Sequence, residues 1–138
     1  MVREARPATF PDRTWFEAWQ DAVAKDRELA VVGRWCTLGF ALRVGEEIFL
    51  VRLREGKIEE VVTETDINDS WSFTLAGSPE DWTAFLQEIP PPFYNDLLAM
   101  NSRVPTFSVE GDRHAFVRHL RTITRIFRIA QTLEARIA

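Results

Sequence analysis

The sequence predicts an α+β protein: a five-stranded antiparallel sheet with helices packed on one face. Three observations predict it. Four short segments in the middle of the chain carry strand alternation and are separated by turn residues. Helical periodicity brackets them on both sides. Finally, every apolar face so defined needs a partner, and one apolar sheet face covered by apolar helix faces satisfies all of them.

The elements follow in order. Residues 1–13 carry charges and two prolines and read as an extended arm. Thr14 is a plausible N-cap, with Glu17 three residues later as in a capping box. Trp15, Trp19, Ala22 and Val23 recur at helical spacing, and Gly33 is a reasonable stop after Ala30, Val31 and Val32. Phe40, Leu42 and Val44 alternate with Ala41 and Arg43 in the first strand. Gly45-Glu46 offers a tight turn into Ile48 to Arg54, and Glu55-Gly56 a second turn into Lys57 to Thr63. In the fourth strand, Ser70 to Ala76, Trp71, Phe73 and Leu75 point one way and Ser72 and Thr74 the other.

After Gly77 the period changes. Ser78-Pro79-Glu80-Asp81 supplies a capping serine, a proline at the first helical position and acids in the first turn. A helix with Trp82, Phe85 and Leu86 runs to the stop at Pro90-Pro91-Pro92. A short helix over 93–103 carries Tyr94, Leu97, Leu98 and Met100. Phe107 and Val109 alternate in a last strand, and Gly111-Asp112 leads into a long helix from about Arg113 to Ile137.

Composition narrows the class. A chain of 138 residues with 46% apolar and 28% charged residues fits one domain, here 14–138 behind the arm. The net charge of −4 argues against non-specific attraction to nucleic acid. A single cysteine, Cys36, permits no intrachain disulfide, and no apolar run approaches the roughly 20 residues of a membrane span. With no signal peptide at the N-terminus, the expected location is cytoplasmic.

Three stretches together resemble the sterol carrier protein type two family: Trp71-Ser72-Phe73-Thr74-Leu75, Ser78-Pro79-Glu80-Asp81-Trp82, and Phe107-Ser108-Val109-Glu110-Gly111-Asp112. The resemblance runs from about Trp15 to Ile129. It implies a sheet covered by helices, an apolar tunnel between them, and a lipid such as a fatty acid, acyl-CoA or sterol within. The family often has Gly-Lys before the last strand, where this chain reads Met100-Asn101-Ser102-Arg103.

On that basis the expected ligand contacts are Trp71, Phe73, Trp82, Phe85, Tyr94, Leu97, Phe116, Leu120 and Phe127, although aromatic residues also serve as plain core. Arg118, Arg121, Arg125 and Arg128 share one face of the last helix. Arg118 and Arg121, with Arg103, are candidates for an anionic head group; a solvated helix face is the simpler alternative. The opposite face, Phe116, Leu120, Ile123, Phe127, Ala130, Leu133 and Ile137, belongs to a helix long enough to overhang the domain, which points to a homodimer or to a frayed end.

Catalysis and metal binding find little support. His114 and His119 are five apart and cannot easily share a metal. Asp66-Ile67-Asn68-Asp69 fails calcium-loop spacing. No cofactor is expected. Tyr94, Asp96, Asp112 and His114 are a weak acid–base group, with Asp112 as a helix cap the simpler reading. The leading expectation is non-catalytic binding of an apolar small molecule. The alternatives are an interaction or accessory module with a filled core, and a small isomerase or dehydratase.

Overall fold

The computed structural model describes residues 9–66 and 68–137, and the side chains of residues 9–66 and 68–133. Residues 1–8 of the expected arm, and Ile137's side chain on the expected overhang, lie outside that description. The chain enters through a turn in which Asp12 N–H donates to Thr9 O at 2.7 Å.

The N-terminal helix is two helices. α1 spans Arg13–Ala24 with Asp12, not Thr14, at its N-cap, and no side chain caps it. α2 spans Arg27–Val32 and ends at Gly33 as expected. The break falls at Asp26, whose carboxylate accepts from Leu29 N–H at 3.0 Å and so begins a new helix inside the apolar pattern. The long C-terminal helix is likewise broken. α5 (Arg113–Arg118) ends at His119, and α6 (Leu120–Ile137) follows. An 18-residue helix is about 27 Å long. This weakens the case from length for an overhang.

The sheet holds β1 (Leu38–Val44), β2 (Glu47–Arg54), β3 (Lys57–Val62), β4 (Phe73–Gly77) and β5 (Ser108–Gly111), in the order β3-β2-β1-β4-β5. The two tight turns close antiparallel hairpins at the expected residues. Gly45 sits at φ 62°, while Glu55 and Gly56 sit at φ 51° and 80°, the paired left-handed conformation of a two-residue hairpin loop.

The expected all-antiparallel sheet is corrected at one pair: β4 lies parallel to β1, with Phe40 beside Phe73 and Leu42 beside Leu75. The reason is the connection. The described residues between β3 and β4 form no hairpin, and β4 is added on the far side of β1 from β3.

Phe40, Leu42, Phe49, Val51, Phe73 and Leu75 face the helices. Ala41 and Leu50 point the other way and are nonetheless fully buried. The crossing connection passes on that side: Gly39 has Ser70 O and the Leu50 side chain as neighbours, and Asp69 pairs with Arg52 at 3.2 Å. Arg43 reaches Glu110 at 3.1 Å on the same outer face.

Helices α3 (Pro79–Phe85) and α4 (Leu97–Arg103) complete the helical layer. α3 begins at the expected capping serine, which forms a full capping box: Asp81 N–H donates to Ser78 Oγ, and Ser78 N–H donates back to Asp81 Oδ2. One close approach fixes the α2 end against the β2–β3 turn. A Cβ on Gly33 would stand 2.8 Å from Gly56 Cα, so neither position accepts a side chain without displacement of backbone.

Candidate functional site

The layer between sheet and helices is filled with rings. Phe73 stacks on Phe40 at 5.3 Å and 6°, and meets Phe116 edge-on at 5.4 Å. Phe127, from α6, touches Trp19, Phe40, Trp82 and Phe85 at 5.3–6.3 Å. The indole N–H groups of Trp19 and Trp82 donate to Ile126 O and Arg43 O at 2.8 and 3.0 Å. Such rings contribute large buried area and a fixed geometry. Phe73, Trp82, Phe85, Leu97, Phe116 and Phe127 are all buried in this core.

Trp71 is the exception among the predicted apolar contacts. β4 starts at Phe73, and the preceding chain departs from strand alternation. The Trp71 indole N–H donates to Thr74 Oγ1 at 2.9 Å, on the sheet face away from Phe73 and Leu75. It therefore sits outside the helix-facing layer.

An opening reaches this core where the end of α3, the start of α4 and α6 meet. A pocket of about 130 Å³ is lined by Phe85, Asn95, Asp96, Leu97, Thr124, Phe127, Arg128 and Gln131. Its walls are tied together by polar contacts. Gln131, buried on α6, donates to Phe85 O at 2.9 Å. Arg128 donates to Glu88 O at 3.0 Å and to Gln131 Oε1 at 3.2 Å.

Thr124 and Arg128 also line a wider groove of about 610 Å³, with Glu28, Val117, Arg118, Leu120, Arg121 and Arg125. Pocket and groove thus share a wall on α6. Predicted Leu120 belongs to the groove, not to the pocket.

The four arginines of this face are not equivalent. Arg125 is held by Asp26 at 2.7 and 3.1 Å, with Glu28 at 4.0 Å. The Arg125 hydrogen bond holds the Asp26 carboxyl below its ordinary value. Arg128 is engaged in the pocket wall. Arg118 meets His114 Nδ1 at 3.2 Å. Arg121 is exposed and makes no ion pair or hydrogen bond among the described residues. Burial, with the Arg118 charge, holds His119 below its usual range and so favours its neutral form.

Arg103 is elsewhere, its guanidinium 5.4 Å from the Phe93 ring. Tyr94 is a strut: its hydroxyl donates to Asp81 Oδ1 at 3.3 Å, and Thr106 Oγ1 donates to Asp81 Oδ2 at 2.6 Å. Burial and the Asp81 carboxylate push the Tyr94 pKa up, so the phenol keeps its proton.

The acid–base group is not assembled. Asp112 caps α5 through Ala115 N–H, Asp96 caps α4 through Ala99 N–H, and His114 faces Arg118. Burial raises the Cys36 thiol to about 11, which leaves it protonated near neutral pH. Sequence reasoning found Asp81 only as a first-turn acid. It missed Gln131 and the pairing of Asp26 with Arg125. Those partners lie far apart in the chain, and only the α1–α2 break would have drawn attention to Asp26.

No protein-family model matches the sequence, and no curated protein matches it. Solved structures do. The fold is that of sterol carrier protein 2, whose crystal structure superimposes with a TM-score of 0.70 at 12% identity, over 89% of this chain and 98% of that one. A conserved hypothetical protein of Thermus thermophilus, described as a possible sterol carrier protein, gives 0.69 at 13% identity over 94% and 92%. The UbiJ-SCP2 ubiquinone synthesis protein gives 0.56 at 10% identity over 83% and 90%. The chain is therefore an α+β protein of sterol-carrier fold.

Proposed function

We propose that the chain binds an apolar molecule with an anionic end, without catalysing a reaction on it. The observation that carries this reading is the shared α6 wall. On one side lies an apolar pocket made by Phe85, Leu97 and Phe127, and on the other a groove bearing Arg118 and Arg121, the latter without a partner among the described residues. An apolar tail would gain about 25 cal/mol per Å² buried against the rings. A carboxylate or phosphate would meet charge-assisted donors in the groove.

The pocket, about 130 Å³, is below the roughly 300 Å³ at which ligand pockets begin. Uptake of a lipid-sized tail therefore requires the 86–96 segment to move outward. The sterol carrier and ubiquinone synthesis proteins that share the fold are named for apolar molecules, which agrees with this reading.

The test is titration of delipidated protein with oleate, oleoyl-CoA and cholesterol. Oleate and oleoyl-CoA should bind, and Arg118→Gln with Arg121→Gln should weaken both by about tenfold or more, the scale of one lost charge-assisted hydrogen bond. Cholesterol, without a charge, should not respond to these changes. Failure of all three to bind sinks the proposal.

A second reading is a filled-core accessory module, free of ligand and joined to a copy of itself or to an enzyme. The continuous ring packing around Phe127 favours it. Sedimentation separates the two, since this reading requires a stable assembly and no uptake.

A further inference from the structure

The aromatic core is closed at one end by a residue that belongs to no helix or strand. Phe10 precedes α1, yet its ring lies 4.9 Å from Trp15, 5.8 Å from Phe16 and 5.7 Å from Trp82. An opening of about 260 Å³ lies beside it, lined by Thr9, Phe10, Thr83, Leu86 and Gln87.

Trp15 is fully buried, and its indole N–H has no hydrogen-bond partner among the described residues. A buried donor without an acceptor is unusual and costly. Trp19 and Trp82, by contrast, each donate to a backbone carbonyl. Three rings surround Trp15: Phe10, Phe16 and Trp19. Phe16 and Trp19 are carried by α1 itself, so Phe10 is the one that can leave without unfolding the helix.

We propose that Phe10 is a replaceable plug in a second binding site. Its ring stands in for an apolar ligand that carries a hydrogen-bond acceptor, such as an aryl or alkyl carbonyl. The ligand would enter beside Thr9 and Leu86, displace Phe10, pack against Trp82 and Phe16, and accept from Trp15 Nε1. This site is distinct from the arginine-flanked pocket. Phe10 touches Trp82, which touches Phe85 and Phe127, and those two line that pocket. The inference shares with the proposed function only the premise that the ring-lined layer admits a ligand.

Acetophenone and ethylbenzene serve as probes of similar shape, one with an acceptor and one without. An apolar cavity of about 150 Å³ in a protein core is known to hold a benzene. In Phe10→Ala, with the plug removed, acetophenone should raise the melting temperature and bind at least about tenfold more tightly than ethylbenzene, the scale of one hydrogen bond. Wild type should bind acetophenone more weakly than Phe10→Ala, because the open state is only a fraction of the population. Where it binds, hydrogen exchange at the Asp12 amide should quicken, since that amide is held by Thr9 O in the turn carrying Phe10.

Three results overturn the plug: neither probe stabilises Phe10→Ala, acetophenone does no better than ethylbenzene, or wild type binds acetophenone with Asp12 exchange unchanged. Oleate binding that responds to Arg118→Gln and Arg121→Gln reads the other site. The two proposals can therefore fail separately.

Discussion

Two sides of α6 and the elements they meet differ in how they are held. Toward the sheet and α1, Phe127 and Trp19 are locked among rings, and Asp26 clamps Arg125 in two hydrogen bonds. Toward the 86–104 segment the packing is uneven: Leu86, Leu97, Met100 and Val104 are buried, but other large apolar side chains are not. Ile89 is 83% exposed, Phe93 52% and Leu98 45%, and these are half of the large apolar side chains left exposed among the described residues. Scattered polar contacts hold that segment and its flanks: Asp81 with Tyr94 and Thr106, Gln131 with Phe85 O, Arg128 with Glu88 O, and Asn101 with Val109 N–H. The pocket opens between the firm wall and the loosely held one. A site that must widen to admit a ligand belongs at such a boundary, because weakly packed segments open at low cost.

Substitutions should divide along the same line. Phe127→Ala, in the firm wall, removes a ring that contacts four others and should cost about 3–5 kcal/mol. Urea denaturation measures it, and a loss below about 1 kcal/mol would mean the ring layer is loose. Asp26→Ala removes both the α2 cap and the Arg125 partner, for about 2–3 kcal/mol.

The same carboxylate sets a pH dependence. Its pKa is lowered in the folded state from an ordinary value of 3.8, chiefly by Arg125. The unfolded chain thus takes up the proton first as pH falls. The Asp26 contribution is complete above the unfolded value and drains away as pH drops through the folded one. Acid titration of wild type against Asp26→Ala should show their stability gap closing below about pH 4.

In the loose wall the effects are smaller. Asp81→Ala releases Tyr94 and Thr106 and breaks the α3 capping box, for about 2 kcal/mol, and should quicken hydrogen exchange over 93–104 before the sheet responds. Leu98→Ser, at an exposed position, should change stability by less than about 0.5 kcal/mol. A large loss there would show that the segment is packed as firmly as α1.

Much of the fold was legible because its signals are local. Gly45 and Gly56 mark hairpins by the left-handed backbone they permit, and Ser78 to Asp81 marks a helix start by its own hydrogen bonds. What escaped depends on distant partners. The breaks at Asp26 and His119 interrupt continuous apolar patterns, and no local residue announces the parallel seat of β4 beside β1. For the site, Phe85, Leu97, Phe127, Arg118 and Arg121 do gather around pocket and groove. Trp71 and Arg103 do not, because alternation misassigned the first and nothing in the sequence pairs the second with Phe93.

The parallel seat of β4 also bears on the order of assembly. β1, β2 and β3 can zip through two-residue turns, each closing a short loop. β4 can join only after the chain has crossed the sheet from the β3 edge to the far side of β1, and β5 pairs only with β4. Making that crossing is a non-local step that adds to the entropic cost of folding, whereas the two hairpins close locally. Mutations in the β1–β2 hairpin should therefore slow folding, while those in α6 should mainly speed unfolding.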